Sequence, residues 1–140
     1  MPILLNRIGD SCETAVVVEV ARAELWKKRW FALAADGSEI AVELDTPARH
    51  GSILYGEGKQ GFRVEHVPEE VVAIVMPQQS DMAAKIGWYL GNRHIPIEVR
   101  KDELLFENFP TITDALDRIG IDYCVRQDIL SCRPSEAHRH

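Results

Sequence analysis

The sequence predicts an α+β chain, with a small N-terminal all-β domain followed by a ferredoxin-like domain of order βαββαβ. Three observations carry that expectation. Residues 3 to 67 hold short β-branched or alternating apolar runs separated by turn residues, the grammar of a small all-β unit. After Pro68-Glu69-Glu70, two segments with apolar residues at helical spacing are interleaved with strand-like runs. The 140 residues also suffice for two small domains, and a unit of about 70 residues is marginal alone and leans on a neighbour or a second chain. We place an N-terminal domain at 1–69, a second at 70–128, and a flexible His-bearing tail at 129–140.

The elements follow in order. Ala15-Val16-Val17-Val18-Glu19-Val20 is β-branched. Trp30 to Leu33 and Ile40 to Leu44 flank Asp36-Gly37, which predicts a hairpin with a type I′ turn. Ile53-Leu54-Tyr55 and the alternating run Phe62 to Val67 form another pair. Val71 to Met76 is continuously apolar, as in a strand buried on both faces, and Pro77 closes it. Ser80 predicts an N-cap, Met82, Ile86 and Leu90 a helical stripe, and Gly91 a left-handed stop. Ile95, Ile97 and Val99 alternate, and Arg100-Lys101-Asp102 turns the chain into Leu104-Leu105-Phe106. Thr111 to Asp114 resembles a capping box. Ile112, Ala115, Leu116 and Ile119 form the second stripe, and Gly120 ends it. Ile121 to Val125 is the last strand, and from Ser131 apolar periodicity is lost.

Composition excludes several functions. With 22 acidic against 16 basic residues and a formal charge of −6, the chain lacks the cationic surface that nucleic acid or an anionic membrane requires. No apolar run approaches the roughly 18 residues of a spanning helix, and the first residues do not read as a signal peptide. A cytoplasmic location is expected. Cys12, Cys124 and Cys132 are odd in number and widely spaced, so reduced thiols are expected rather than a disulfide framework.

Gly56-Glu57-Gly58-Lys59-Gln60-Gly61 matches the dinucleotide fingerprint, but that chemistry needs a helix N-terminus directly after the glycines. Here a strand-like run follows, so the segment reads as a hairpin loop. No paired acid and base or activated nucleophile stands out, and the chain is not expected to be an enzyme. Five histidines remain. His50 and His66 read as structural or solvated. His138 and His140 lie in the tail with Cys132 upstream, where imidazoles reach a metal bound elsewhere. His94 sits at a helix-to-strand corner. One imidazole cannot hold a divalent ion, but two related by a dimer axis supply two donors. Trp88, Tyr89 and Ile95 are candidates for that dimer surface, with core packing the alternative for each.

The segment Gly87-Trp88-Tyr89-Leu90-Gly91-Asn92-Arg93-His94-Ile95-Pro96-Ile97 resembles the Y-H-L-G-N-R-H-x-P-[LV] segment of the UreE family, the urease accessory nickel metallochaperones. Weaker likeness extends to the strand near Glu70 to Met76, the helix near Asp114 to Gly120, and the Trp30 to Leu44 hairpin. The resemblance implies a β domain that engages protein partners and a ferredoxin-like domain that pairs into a homodimer. It implies Ni(II) bound by His94 of both subunits with tail histidines His138 and His140 adding donors. It also implies hand-over of nickel to urease apoprotein through the urease GTPase accessory protein. The Glu107-Asn108-Phe109-Pro110 stretch carries none of the histidines many members have there, so low metal capacity is expected, a single ion per dimer. Zn(II) and Cu(II) are expected competitors. The reading of a different class is a metal-independent docking module for a urease-type or other complex.

Overall fold

The computed structural model describes residues 1–10 and 12–134. The chain divides into two units, Met1–Val67 and a second opening at Pro68. The architecture is α+β.

The first unit contains β1 (Ile3–Leu5), β2 (Arg7–Gly9), β3 (Val16–Val20), a helical turn α1 (Arg22–Leu25), β4 (Arg29–Leu33), β5 (Glu39–Glu43), β6 (Ile53–Tyr55) and β7 (Phe62–His66). Its strands form a three-stranded sheet of order β1-β5-β4 and a four-stranded sheet of order β2-β6-β7-β3. Leu5, Val18, Trp30, Ile40, Val42, Leu54, Phe62 and Val64 bury together as its core. The expectation of an all-β unit needs one correction. Ala21-Arg22-Ala23-Glu24-Leu25 is rich in good helix formers and closes one turn, which delivers Leu25 to that core.

The β4–β5 hairpin also differs from expectation. Gly37 takes φ +89°, but Asp36 stays out of the left-handed region, so the turn is not type I′. Gly37 N–H donates to the Ala34 carbonyl at 2.9 Å and Ala34 N–H to the Ser38 carbonyl at 2.8 Å. This is a three-residue loop in which glycine takes the left-handed place. The glycine-rich run 56–61 joins strand β6 to strand β7, with no helix behind it.

The second unit contains β8 (Glu69–Val75), α2 (Ser80–Asn92), β9 (Glu98–Val99), β10 (Glu103–Glu107), α3 (Ile112–Ile119) and β11 (Cys124–Asp128). Its sheet runs β11-β8-β10-β9 with every neighbouring pair antiparallel. Val72, Ile74, Leu104 and Phe106 face Ile86 and Leu90 of α2 and Ile112 and Leu116 of α3. On the other face Val71, Ala73 and Leu105 pack with Leu130. Both faces of β8 are therefore covered, which is why its sequence is continuously apolar.

Several boundaries move. Ile121 and Tyr123 pack onto the helix-side core, so the last strand begins later, at Cys124. Ile95 and Ile97 pack there as well, leaving a two-residue β9. Gln79 rather than Ser80 is the N-cap of α2, and Thr111 caps α3 without a side-chain hydrogen bond. The expected tail from 129 does not hold at its start. Leu130 is fully buried, because the open face of the sheet needs an apolar cover.

Candidate metal centre

His94 lies where α2 ends, and the helix end fixes its conformation. Ile95 N–H donates to the Leu90 carbonyl at 3.1 Å and His94 N–H to the Gly91 carbonyl at 2.9 Å. That pair of bonds is a Schellman motif with His94 at the left-handed C′ position. Its φ is +59°, and among the described residues it alone is a non-glycine with positive φ. The α3 end uses the same pattern with a glycine: Gly120 has φ +75°, and Ile121 N–H donates to the Leu116 carbonyl at 3.0 Å.

The left-handed stop expected at Gly91 thus falls three residues later. The physical reason is the apolar contact that accompanies this motif between C″ and C3. With His94 at C′ those residues are Ile95 and Leu90, both in the core cluster. With Gly91 at C′ they would be Asn92 and Gly87, which have nothing to bury. Gly91 instead sits inside α2, exposed, with open space where a Cβ would stand. Gly91→Ala should therefore stabilise the protein by about 0.5–1 kcal/mol through helix propensity alone, read as a higher urea midpoint.

The His94 side chain is exposed at this corner. Beside it, Arg93 folds back over Tyr89: its guanidinium carbon lies 5.3 Å from the ring centre, and Nη1 donates to the Tyr89 hydroxyl at 3.1 Å. Of the residues expected at a dimer surface, Tyr89 and Ile95 pack on the core instead, whereas Trp88 is 70% exposed.

The residues after β11 run back to this corner. Arg100 Nη2 donates to the Ile129 carbonyl at 2.9 Å. Ser131 donates to the Glu98 carboxylate through N–H at 2.6 Å and Oγ at 2.8 Å. Cys132 Sγ lies 3.8 Å from the Pro96 carbonyl oxygen. Successive residues of this strap thus meet Arg100, Glu98 and Pro96, running towards His94.

Ion pairs brace the strands that the strap leaves and reaches. Arg126 pairs with Glu103 and, at 3.0 Å, with Asp128, while Arg100 pairs with Glu98 and, at 3.3 Å, with Asp128. The Arg126 hydrogen bond holds the Glu103 carboxyl below its usual range. For Asp128, burial raises the pKa, but bonds from Ile129 N–H, Arg126 and Arg100 outweigh it and the net shift is downward. Lowered folded-state values mean a contribution to stability that is complete above the ordinary carboxylate range, near about pH 4, and lost as pH falls through the folded values. An acid titration of the thermal midpoint should show this loss, and Arg126→Met should flatten it.

His50 and His66 lie in the first unit, where His66 N–H donates to His50 Nδ1 at 3.1 Å and the rings stand 5.8 Å apart. His138 and His140 lie outside the described residues. Among the described residues no three His, Cys, Asp or Glu side chains gather to hold a metal. A metal site at His94 therefore needs donors from beyond this set.

The comparisons with known proteins point to the same unit. Residues 69–139 match the family model described as the C-terminal domain of the UreE urease accessory protein. The urease accessory protein UreE of Escherichia coli O157:H7 (strain EC4115 / EHEC) is 34% identical over 121 residues, 85% of this chain and 79% of that protein. The chain belongs to the UreE family. The UreE of Staphylococcus aureus (strain Newman) is 29% identical over 125 residues, 88% of this chain and 80% of that protein. With the UreE of Ralstonia nicotianae the match is 33% over 97 residues, and the chain spans 46% of that relative's length. UreE proteins are urease accessory proteins rather than enzymes. Within the family match, His94 is the exposed imidazole at the corner between α2 and β9.

Proposed function

We propose that this chain is a nickel metallochaperone serving urease assembly. Its ferredoxin-like second unit pairs into a homodimer and binds one Ni(II) between the His94 side chains of the two subunits, with His138 and His140 as further donors. The observation that carries the reading is the conformation of His94. A left-handed non-glycine residue is strained by about 1–2 kcal/mol, and such strain concentrates at functional sites. Here a side chain able to ligate nickel occupies the left-handed position just past α2, which favours glycine.

A dimer supports the site in two ways. It supplies the second imidazole, and it covers Trp88, which is 70% exposed one helical turn before Asn92. An open site of few donors releases its ion readily by ligand exchange, as delivery to the urease GTPase accessory protein and the apoprotein requires. Intrinsic affinity follows Cu(II) above Ni(II), with Zn(II) competing, so selectivity is set by partner and supply. Binding needs neutral imidazole and weakens in acid. None of the described helices is long and apolar enough to cross a membrane, which fits a cytoplasmic chaperone.

Calorimetric titration with nickel tests this directly. One ion should bind per two chains, His94→Ala should remove it, and His138→Ala with His140→Ala should weaken it. Several tight ions per dimer, or full affinity in the His94 variant, would sink the proposal.

A second reading has its own observation. On the outer face of the three-stranded sheet Leu4, Ala41 and Phe31 lie in register, and Leu4, Phe31 and Leu33 are exposed. Such a patch fits a protein partner, so the first unit would dock the chain on its complex. A chain that dimerises, binds no nickel and still joins urease proteins would favour docking alone.

A further inference from the structure

We infer that His50 and His66 form a pH-sensitive latch: a neutral His50 ring closes the loop between β5 and β6 onto the end of β7, and a charged ring lets it go. The latch belongs to the first unit and does not depend on the nickel site.

Its origin is a backbone donor that the strand ladder leaves unserved. β6 and β7 are antiparallel, and the N–H groups of even-numbered β7 residues point towards β6. Val64 N–H donates to the Ser52 carbonyl at 2.9 Å, and His66 N–H is the next on that side. The chain that would supply its acceptor has turned away by then. Gly51 takes φ +88°, Ser52 N–H donates to the Arg49 carbonyl at 3.0 Å, and Arg49 N–H donates to Ser52 Oγ at 3.0 Å. A partly buried N–H needs a partner. The His50 side chain provides it: Nδ1 accepts from His66 N–H at 3.1 Å. Ala48, two residues earlier, is buried in the core and anchors the loop.

An acceptor at Nδ1 fixes the state of the ring. Neutral imidazole has one accepting nitrogen, so the proton sits on Nε2; imidazolium carries N–H on both nitrogens and accepts nothing. Hydrogen bond and charge are therefore mutually exclusive at His50. The His66 ring stands edge-on 5.8 Å away and is only 8% exposed, so a charged His50 also faces a buried neighbour. The loop carries Asp45 and Arg49, β7 carries Arg63 and Glu65, paired at 3.2 Å, β3 carries Glu19 in register with Glu65, and α1 carries Arg22. Arg63, Glu65 and Glu19 alternate onto the sheet face opposite His66. Among the described residues no carboxylate forms an ion pair with His50 to offset its charge. The latch is closed while His50 is neutral and opens as pH falls through the range where imidazoles charge.

Nitrogen NMR and amide exchange on the full chain test this. The His50 ring should be the Nε2–H tautomer. Protection of the His66 amide, corrected for intrinsic exchange, should fall about tenfold between about pH 8 and about pH 5, while that of Val64 holds. His50 is exposed, so its replacement leaves the core intact. His50→Asn offers a neutral amide oxygen near the place of Nδ1, and protection should persist at both pH values; His50→Ala should lose it at both. An Nδ1–H tautomer, a His66 amide equally protected at both pH values, or full protection in His50→Ala would overturn the latch. So would an acid loss of the same size in His50→Asn, the mark of another titrating group such as His66 itself.

Discussion

His94→Gly should abolish nickel binding and at the same time raise the stability of the protein by about 1 kcal/mol. The two effects have separate causes. His94 sits at φ +59°, where a Cβ crowds the following carbonyl and glycine does not. Its imidazole makes no packing contribution that glycine would forfeit, because the side chain is exposed. The bonds that end α2 come from the backbone of His94 and Ile95 and survive the change. The gain should appear as a thermal midpoint higher by about 3 °C. Binding should fall by at least about 100-fold, since even losing an outer-shell partner of a metal ligand costs about 10–100-fold and here both imidazoles of the dimer go. His94→Ala separates the causes: alanine keeps the strained Cβ, so nickel is lost with the midpoint unchanged. A His94→Gly protein less stable than the wild type would contradict the strain; one that kept its nickel affinity would contradict the site.

The largest loss of stability is expected from Phe106→Ala, about 3–5 kcal/mol. Phe106 is fully buried in β10, paired with Val72 and clustered with residues from both helices. Removing its ring deletes transfer energy and leaves a cavity that sheet and helices cannot both close, since each is tied to the other by the same cluster. A domain of this size is stable by only about 5–15 kcal/mol, so the change removes a large share and shifts the urea midpoint accordingly. By contrast, Phe31→Ala on the exposed face of β4 should stay within about 0.5 kcal/mol. Similar losses at the two positions would mean that Phe31 is covered in solution.

How much of this was legible in the sequence differs by element. The continuous run Val71 to Met76 announced a strand buried on both faces, and the stripes Ile86/Leu90 and Ile112/Leu116 announced the helices, because apolar periodicity reports directly which face meets the core. Gly120 announced its own stop. Gly91 draws the expected stop away from His94, although the sequence carries the signal: Leu90 and Ile95 are an apolar pair at the spacing of C3 and C″, and only a C′ residue at 94 lets them meet. The helical turn at Arg22–Leu25 was hidden among strands, since one turn gives no period to count. Leu130 was hidden because a lone leucine among polar residues carries no pattern.

The sequence alone determined the α+β character, the change of grammar near Pro68 and the segment around His94 that marks the family, since these depend on neighbours along the chain. Only the tertiary structure decided that His94 itself takes the left-handed position and that Leu130 covers the open face of the sheet. It also showed that Ser131 is tied to Glu98 on the edge opposite β11. The first is settled by the burial of Leu90 and Ile95, five residues apart, in a core that other elements build, and the rest by a strap closing over strands laid down some 25 to 60 residues earlier in the chain. Local periodicity does not encode such closures; burial of the last uncovered apolar face selects them.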